Sequence, residues 1–125
     1  MRRFDHIDLR VPDLAAVQPF YRRLLPALGF TEDVSWPDWT QFTAPGAGGT
    51  EFFGVTESPN HLPNENRIAF WAENIEEVDR IAALLPEIGA QNIEGPEWYE
   101  GDHYYVVFFE DPASNRLELC HRLKN

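Results

Sequence analysis

The chain has 125 residues and a mass of 14.4 kDa, which is the size of one domain that can bury a hydrophobic core. Its 21 acidic residues against 10 basic ones give a formal net charge of −11, which argues against nucleic acid and against an anionic membrane surface, because both attract clustered Lys and Arg. Cys120 is the one cysteine, so an intramolecular disulfide and a cysteine-rich zinc site are excluded. Because no apolar run is long enough for a membrane span, we expect a cytoplasmic protein.

The first half of the chain has the pattern of a strand, a helix and further strands. Apolar and polar residues alternate over residues 6–11, which predicts a strand with one face towards a core. Asp13 is a candidate N-cap of the helix that follows, and Gly29 is a candidate stop. Residues 39–43 and 50–55 are then predicted to be strands, with a hairpin loop in the glycine-rich run at 45–49.

The second half repeats this pattern. Residues 67–78 align with 6–17 without a gap, and LLPEIGA at 84–90 matches LLPALGF at 24–30. Asn74 and Gly89 take the places of the helix start and stop, and strands are predicted at 104–109 and 116–120 around a turn at 110–115.

We therefore predict an α+β fold built from two tandem βαβββ modules in a single domain. The first module covers about residues 1–57 and the second about residues 67–122. A linker rich in Pro and Asn joins them at residues 58–66.

These features together resemble the vicinal oxygen chelate superfamily, which includes glyoxalase I, bleomycin resistance proteins, fosfomycin resistance enzymes and extradiol dioxygenases. The resemblance rests on the doubled βαβββ unit, the opening DHIDLRV, the helix end FYRRLLPALGF and the closing YYVVFFEDPASNRLEL. It covers nearly the whole chain, and the closing segment is its most specific part. Membership implies that the modules form one open, cup-shaped mixed sheet with the helices outside, and it leaves the reaction open.

Strand alternation selects the side chains that face away from the helices. His6 and Arg67 occupy that face in the first strand of each module, and Glu118 occupies it in the last strand. The repeat assigns Glu51 as the counterpart of Glu118. We therefore predict that His6, Glu51, Arg67 and Glu118 converge on one cavity, with Arg67 in an ion pair with at least one of the two carboxylates.

In the resembling enzymes these positions hold the ligands of a divalent metal ion, and the position of Arg67 is normally a histidine. The resemblance thus implies a Zn, Ni, Mn or Fe site made by His6, Glu51 and Glu118, in which Glu51 or Glu118 also moves a proton as a catalytic group. Arg67 departs from the pattern, because a guanidinium is always protonated and cannot ligate a cation. It neutralises a former metal site through an ion pair, or it binds a carboxylate or phosphate of the substrate, or the alignment is displaced at this position.

Two further side chains are candidates for contact with a substrate. Trp71 falls on the face of Arg67 by strand alternation, where it either packs structurally or forms the wall of a pocket for a planar molecule. His103 precedes the aromatic strand, where it either lies on the surface or approaches the mouth of the cup.

Two classes of function remain open. The first is a glyoxalase- or dioxygenase-like enzyme, such as a lyase or isomerase, that acts on a small oxygen-rich molecule through a divalent metal ion in the cup. The second is a metal-free protein that binds and sequesters a drug, of the bleomycin-binding type, for which an acidic, aromatic-walled pocket would suit a cationic aromatic compound. In each case the partner is a small molecule. We also expect a homodimer, because an open cup leaves sheet edges that a second chain would cover.

Overall fold

The computed structural model describes residues 4–46, 51–99, 101 and 103–123. They form two compact units, Met1–Leu62 and Pro63–Asn125, and the division falls within the segment predicted as the linker. The α+β fold of two βαβββ modules is confirmed, because each unit contains a strand, a helix and three further strands among its described residues. Residues 47–49 of the predicted glycine-rich loop lie outside the described residues. Neither of the helices that the structure describes has the length and hydropathy needed to cross a membrane.

Unit 1 is a mixed sheet with one helix packed on one face. Its elements are β1 (His6–Val11), α1 (Leu14–Ala27), β2 (Glu32–Trp36), β3 (Trp39–Ala44) and β4 (Glu51–Glu57). The spatial order is β1-β4-β3-β2, in which β1 runs parallel to β4 and the other pairs are antiparallel. Phe20 and Leu24 of α1 are buried together with Phe53 and Val55 of β4. The odd-numbered residues of β4 therefore point towards α1, and the even-numbered ones lie on what we call the helix-free face of unit 1.

Unit 2 repeats this arrangement. Its elements are β5 (Arg67–Trp71), α2 (Ile75–Ile88), β6 (Gln91–Tyr99), β7 (Tyr104–Glu110) and β8 (Arg116–Arg122), with the spatial order β5-β8-β7-β6. Ile81 and Leu85 of α2 are buried together with Leu117 and Leu119 of β8. The even-numbered residues of β8, and the residues that flank them in β5 and β7, form the helix-free face of unit 2.

The two helices begin in different ways. In α2 the N-cap prediction is confirmed, because Oδ1 of Asn74 accepts a hydrogen bond of 2.8 Å from the backbone N–H of Glu77. In α1 Asp13 is the N-cap residue as predicted, with extended backbone angles (φ −140°, ψ 104°), but its side chain makes no capping hydrogen bond within the described part of the chain. The N–H of Leu14 instead donates to Oε1 of Glu57 at 3.0 Å. Glu57 ends β4 opposite Val11, so the neighbouring strand delivers this carboxylate to the start of the helix.

The turn predicted at residues 110–115 is confirmed. Asp111 is buried, and its Oδ1 accepts hydrogen bonds from the backbone N–H groups of Ala113 at 2.8 Å and Asn115 at 2.9 Å. The side-chain amide of Asn115 donates to Oδ2 of Asp111 at 3.0 Å. These bonds satisfy a buried carboxylate and fix the hairpin between β7 and β8.

Candidate functional site

The helix-free face of unit 1 contains a cavity of about 180 Å³. Its wall is a mixture of aromatic and polar side chains around one glycine: His6, Asp8, Trp39, Phe52, Gly54 and Thr56. A cavity with aromatic walls and a few polar groups is the usual form of a site for a small organic molecule.

His6 is held in a defined orientation at the edge of this cavity. Its Nδ1 lies 2.7 Å from Oδ1 of Asp5, and its ring stacks on Phe52 with 4.4 Å between centroids and 4° between planes. When Nδ1 carries the proton that Asp5 accepts, Nε2 is the nitrogen that a ligand can meet. The neighbouring carboxylate, Asp8, is occupied differently, since it accepts hydrogen bonds from Thr56 at 2.9 Å and Arg10 at 2.8 Å.

The strand register corrects the predicted equivalence of Glu51 and Glu118. His6 of β1 lies opposite Phe52, and Arg67 of β5 lies opposite Arg116, so these two pairs correspond in the two units. Two residues further along β4 and β8, Gly54 corresponds to Glu118. Glu51 lies three positions before Gly54, exposed at the start of β4 and in phase with the residues that point towards α1. The sequence alignment paired Glu51 with Glu118 because both are glutamates, although the two residues lie at different positions along their strands and on opposite faces of their sheets.

Gly54 leaves room for an indole. A Cβ atom at this position would lie 2.9 Å from Nε1 of Trp39, which is too close for two such atoms. The Trp39 ring in turn stacks on Trp36, with 4.5 Å between centroids and 10° between planes. The position that holds a carboxylate in unit 2 is therefore covered by an aromatic ring in unit 1.

Glu118 is the buried acid of the helix-free face of unit 2, with 6% of its surface exposed. Burial raises the pKa of its carboxyl, although the hydrogen bond from the thiol of Cys120 and the charges of Arg67 and Arg122 act in the opposite direction. Burial and the adjacent Glu118 raise the pKa of Cys120 to about 11. The thiol is therefore protonated at neutral pH and donates to the carboxylate.

Arg67 stacks on an aromatic ring. Its Cζ atom lies 4.7 Å from the centroid of Phe108, the residue of β7 opposite Glu118. Arg67 forms no ion pair with the described residues, because none of their carboxylate oxygens lies within 4.0 Å of a guanidinium nitrogen. Its partner is thus Phe108 and not the carboxylate expected from the sequence, and it acts on Glu118 only through its longer-range charge.

The other predicted contact residues lie at the ends of the strands of unit 2. Trp71 is 70% exposed at the end of β5, and its ring lies 6.1 Å from that of His121 between centroids. Nδ1 of His121 lies 2.8 Å from the carbonyl oxygen of Ala72. His103 is exposed immediately before β7, as expected for a surface position at a strand start. His6 and Glu51 belong to unit 1, whereas Arg67 and Glu118 belong to unit 2, so their convergence on one cavity stays a prediction.

Three residues of these faces were not identified from sequence. Phe52, Gly54 and Phe108 are neighbours of His6, Trp39 and Arg67 respectively. They could have been found by counting in twos from buried residues of the same strand, since a side chain two positions from another lies on the same face.

The side chains present do not fit the family's metal-ligand set. Of the four matched positions, Gly54 has no donor atom and Arg67 carries a fixed positive charge, so only His6 and Glu118 are groups that ligate a cation. In the part of the chain that the structure describes, no group of three or more His, Cys, Asp or Glu side chains is arranged so that it could hold a metal ion.

Comparison with known proteins agrees with the fold and with these motifs. The family described as the Glyoxalase/Bleomycin resistance protein/Dioxygenase superfamily matches residues 3–119. The uncharacterized protein YqjT of Bacillus subtilis (strain 168) is 31% identical over 121 residues, which cover 91% of this chain and 94% of that protein.

Solved structures share the fold over nearly the whole chain. A glyoxalase/bleomycin resistance protein from Albidiferax ferrireducens T118 is 27% identical, with a TM-score of 0.75 over 96% of this chain and 98% of that chain. The fosfomycin resistance protein FosX from Listeria monocytogenes is 20% identical, with a TM-score of 0.73 over 98% of this chain and 95% of that chain. The fold is that of the vicinal oxygen chelate proteins. The chain belongs to the glyoxalase/bleomycin resistance protein/dioxygenase superfamily.

Proposed function

We propose that this protein binds a small aromatic molecule without a metal ion, in the manner of the drug-binding branch of its family. The observation that carries the proposal is the pair of replacements at the matched ligand positions. Gly54 supplies no donor where a carboxylate is needed, and Arg67 supplies a cation where an imidazole is needed. A divalent ion would lose ligands at one position and meet repulsion at the other.

The aromatic side chains support the chemical class of the ligand. In unit 1 the aromatic part of the cavity wall consists of His6, Phe52 and Trp39. His6 stacks on Phe52, and Trp39 is supported from outside the wall by its stacking on Trp36. Aromatic walls bind flat rings through large apolar contact areas and offset or edge-to-face packing. His6 and Thr56 add polar groups that can fix the orientation of a bound molecule.

The proposal is tested by ligand-observed NMR with 2-naphthamide, a neutral aromatic probe, in buffer with and without EDTA. We expect binding that EDTA does not change. Trp39→Leu and Trp71→Leu remove an aromatic group from a helix-free face, and we expect at least one of them to weaken binding. Trp98→Leu is the matched control, because Trp98 packs on Tyr105 on the helix side of the sheet. Loss of binding in EDTA, or the absence of binding altogether, would contradict the proposal.

A further inference from the structure

His6 offers a hydrogen-bond acceptor to the cavity of unit 1. Its Nδ1 lies 2.7 Å from Oδ1 of Asp5, and a carboxylate only accepts, so Nδ1 carries the proton of the neutral ring. Nε2 is then the unprotonated nitrogen, and it makes no hydrogen bond to the residues that the structure describes. Because His6 lines the cavity and 47% of its side chain is exposed, this nitrogen is open to a bound molecule.

The direction in which this acceptor points is fixed. The imidazole ring lies flat on Phe52, with 4.4 Å between centroids and 4° between planes, and the bond to Asp5 sets its rotation within that plane. The lone pair of Nε2 lies in the plane of the imidazole, so a donor meets it at the edge of the ring and not on its face. The donor must therefore project from the rim of the bound molecule.

The other polar side chains of the cavity wall also favour a ligand that donates. Thr56 gives its hydroxyl proton to Oδ1 of Asp8 at 2.9 Å, which leaves its oxygen as an acceptor. Asp8 itself accepts from this hydroxyl and from Arg10 at 2.8 Å. Among the described side chains that line the cavity, the indole N–H of Trp39 is the one donor not already given to a carboxylate. A molecule that brings a donor thus matches this wall better than one that brings only acceptors.

We propose that the cavity of unit 1 binds a phenol or a related aromatic hydroxyl compound, whose O–H donates to Nε2 of His6. The inference rests on the proposed function, because it names the chemical class of the aromatic molecule that is bound. An aryl hydroxyl places its donor at the rim of a flat ring, and it is more acidic than an alkyl hydroxyl and so donates more strongly. The nearby carboxylates of Asp5 and Asp8 disfavour the phenolate, so the neutral form binds.

The test compares 2-naphthol with 2-methoxynaphthalene, in which a methyl group replaces the hydroxyl proton. Calorimetry of the wild-type protein at pH 8 in EDTA is expected to give an affinity for the naphthol about 5-fold above that for the ether, since one neutral hydrogen bond contributes about this much. His6→Phe keeps a flat ring against Phe52 and removes Nε2, so it should remove the advantage of the naphthol and leave the affinity for the ether.

Tyr105→Phe is the matched control, because it also removes one polar atom from an aromatic ring. The hydroxyl of Tyr105 donates to Oδ1 of Asp79 on α2 at 2.5 Å, on the helix side of unit 2. This variant should change neither affinity.

A second readout does not depend on any variant. The nitrogen NMR signal of Nε2 of His6 in the wild-type protein should move upfield when 2-naphthol is added, and much less with the ether, because a new hydrogen bond forms at this atom. No such shift with the naphthol, or an advantage of the naphthol that His6→Phe retains, would overturn the assignment of Nε2 as the acceptor. Equal affinities for the two compounds would overturn the inference and leave the proposed function intact. Binding of neither compound would overturn both.

Discussion

Gly54 of unit 1 occupies the position that Glu118 holds in unit 2. A methyl group there would lie 2.9 Å from Nε1 of Trp39, whose ring is held on Trp36 at 4.5 Å between centroids. Gly54→Ala should therefore cost about 1–3 kcal/mol of unfolding free energy, measured in urea. In a Trp39→Val background the same substitution should cost much less, because the atom that it meets is gone. An equal cost in the two backgrounds would show that the indole does not cover Gly54.

The pKa of the Cys120 thiol depends on the charge of the neighbouring Glu118. Burial first, and then the charge and hydrogen bond of Glu118, raise the pKa of this thiol to about 11, so little thiolate exists at pH 8 and alkylation by iodoacetamide should be slow. Glu118→Gln removes the negative charge and keeps the size of the side chain. The pKa of Cys120 should then fall, and the rate should rise severalfold.

The rate is read from the intact mass, which is unambiguous because the chain has one cysteine. Glu110→Gln is the control, since Glu110 belongs to the next strand and its amide partner is Asn92 at 2.9 Å. Alkylation at the same rate in the wild-type protein and in Glu118→Gln would contradict the contact between Glu118 and Cys120.

At the scale of elements, the two helix starts offer a matched pair. Asn74 accepts the N–H of Glu77, whereas the corresponding Asp13 makes no capping bond within the described residues and Glu57 accepts the N–H of Leu14 in its place. Asn74→Ala should therefore lower the unfolding free energy by about 1 kcal/mol, and Asp13→Ala by much less. Thermal or urea unfolding of the two variants decides the matter. A larger loss in Asp13→Ala would contradict the assigned caps.

Most of the elements could be predicted from local pattern. The strands β1 and β5 alternate clearly, and Gly29 and Gly89 follow the helices with positive φ angles of 99° and 93°. The strands β2 and β6 were required by the βαβββ unit but were not located. The alternation in β2 is confined to the four residues from Asp33 to Trp36, which is the shortest run that predicts a strand, and no residue of β2 is buried. In β6 the register with β7 shifts twice, which breaks the period of two.

The candidate site was harder to predict, because it depends on register between strands far apart in sequence. Strand alternation placed His6, Arg67 and Glu118 on the faces where they are found. It could not show that Glu51 is out of step with Glu118, since that requires the pairing of β4 with β1. It also could not show that the Arg67 guanidinium stacks on Phe108. A guanidinium can bind either an aromatic ring or a carboxylate, and which one it binds depends on which group the folded chain brings close to it.

At the scale of the whole molecule, the exposed strand β2 favours association of two chains. It is the edge strand of its sheet, and Val34 and Trp36 are 39% and 48% exposed on it. An edge strand with apolar side chains is a surface that proteins usually cover. We expect sedimentation at micromolar concentration to give twice the chain mass of 14.4 kDa. Val34→Lys should shift it towards the monomer, whereas a wild-type protein that sediments only at 14.4 kDa would contradict the prediction.

The central claim, that this member of the family binds its ligand without a metal ion, is tested most directly by metal content. Protein produced without a polyhistidine tag, and not exposed to chelators, is analysed by inductively coupled plasma mass spectrometry for Zn, Ni, Mn and Fe. Because Gly54 and Arg67 replace two of the family's ligands, we predict far less than one metal ion per chain. One tightly held ion per chain would contradict the account.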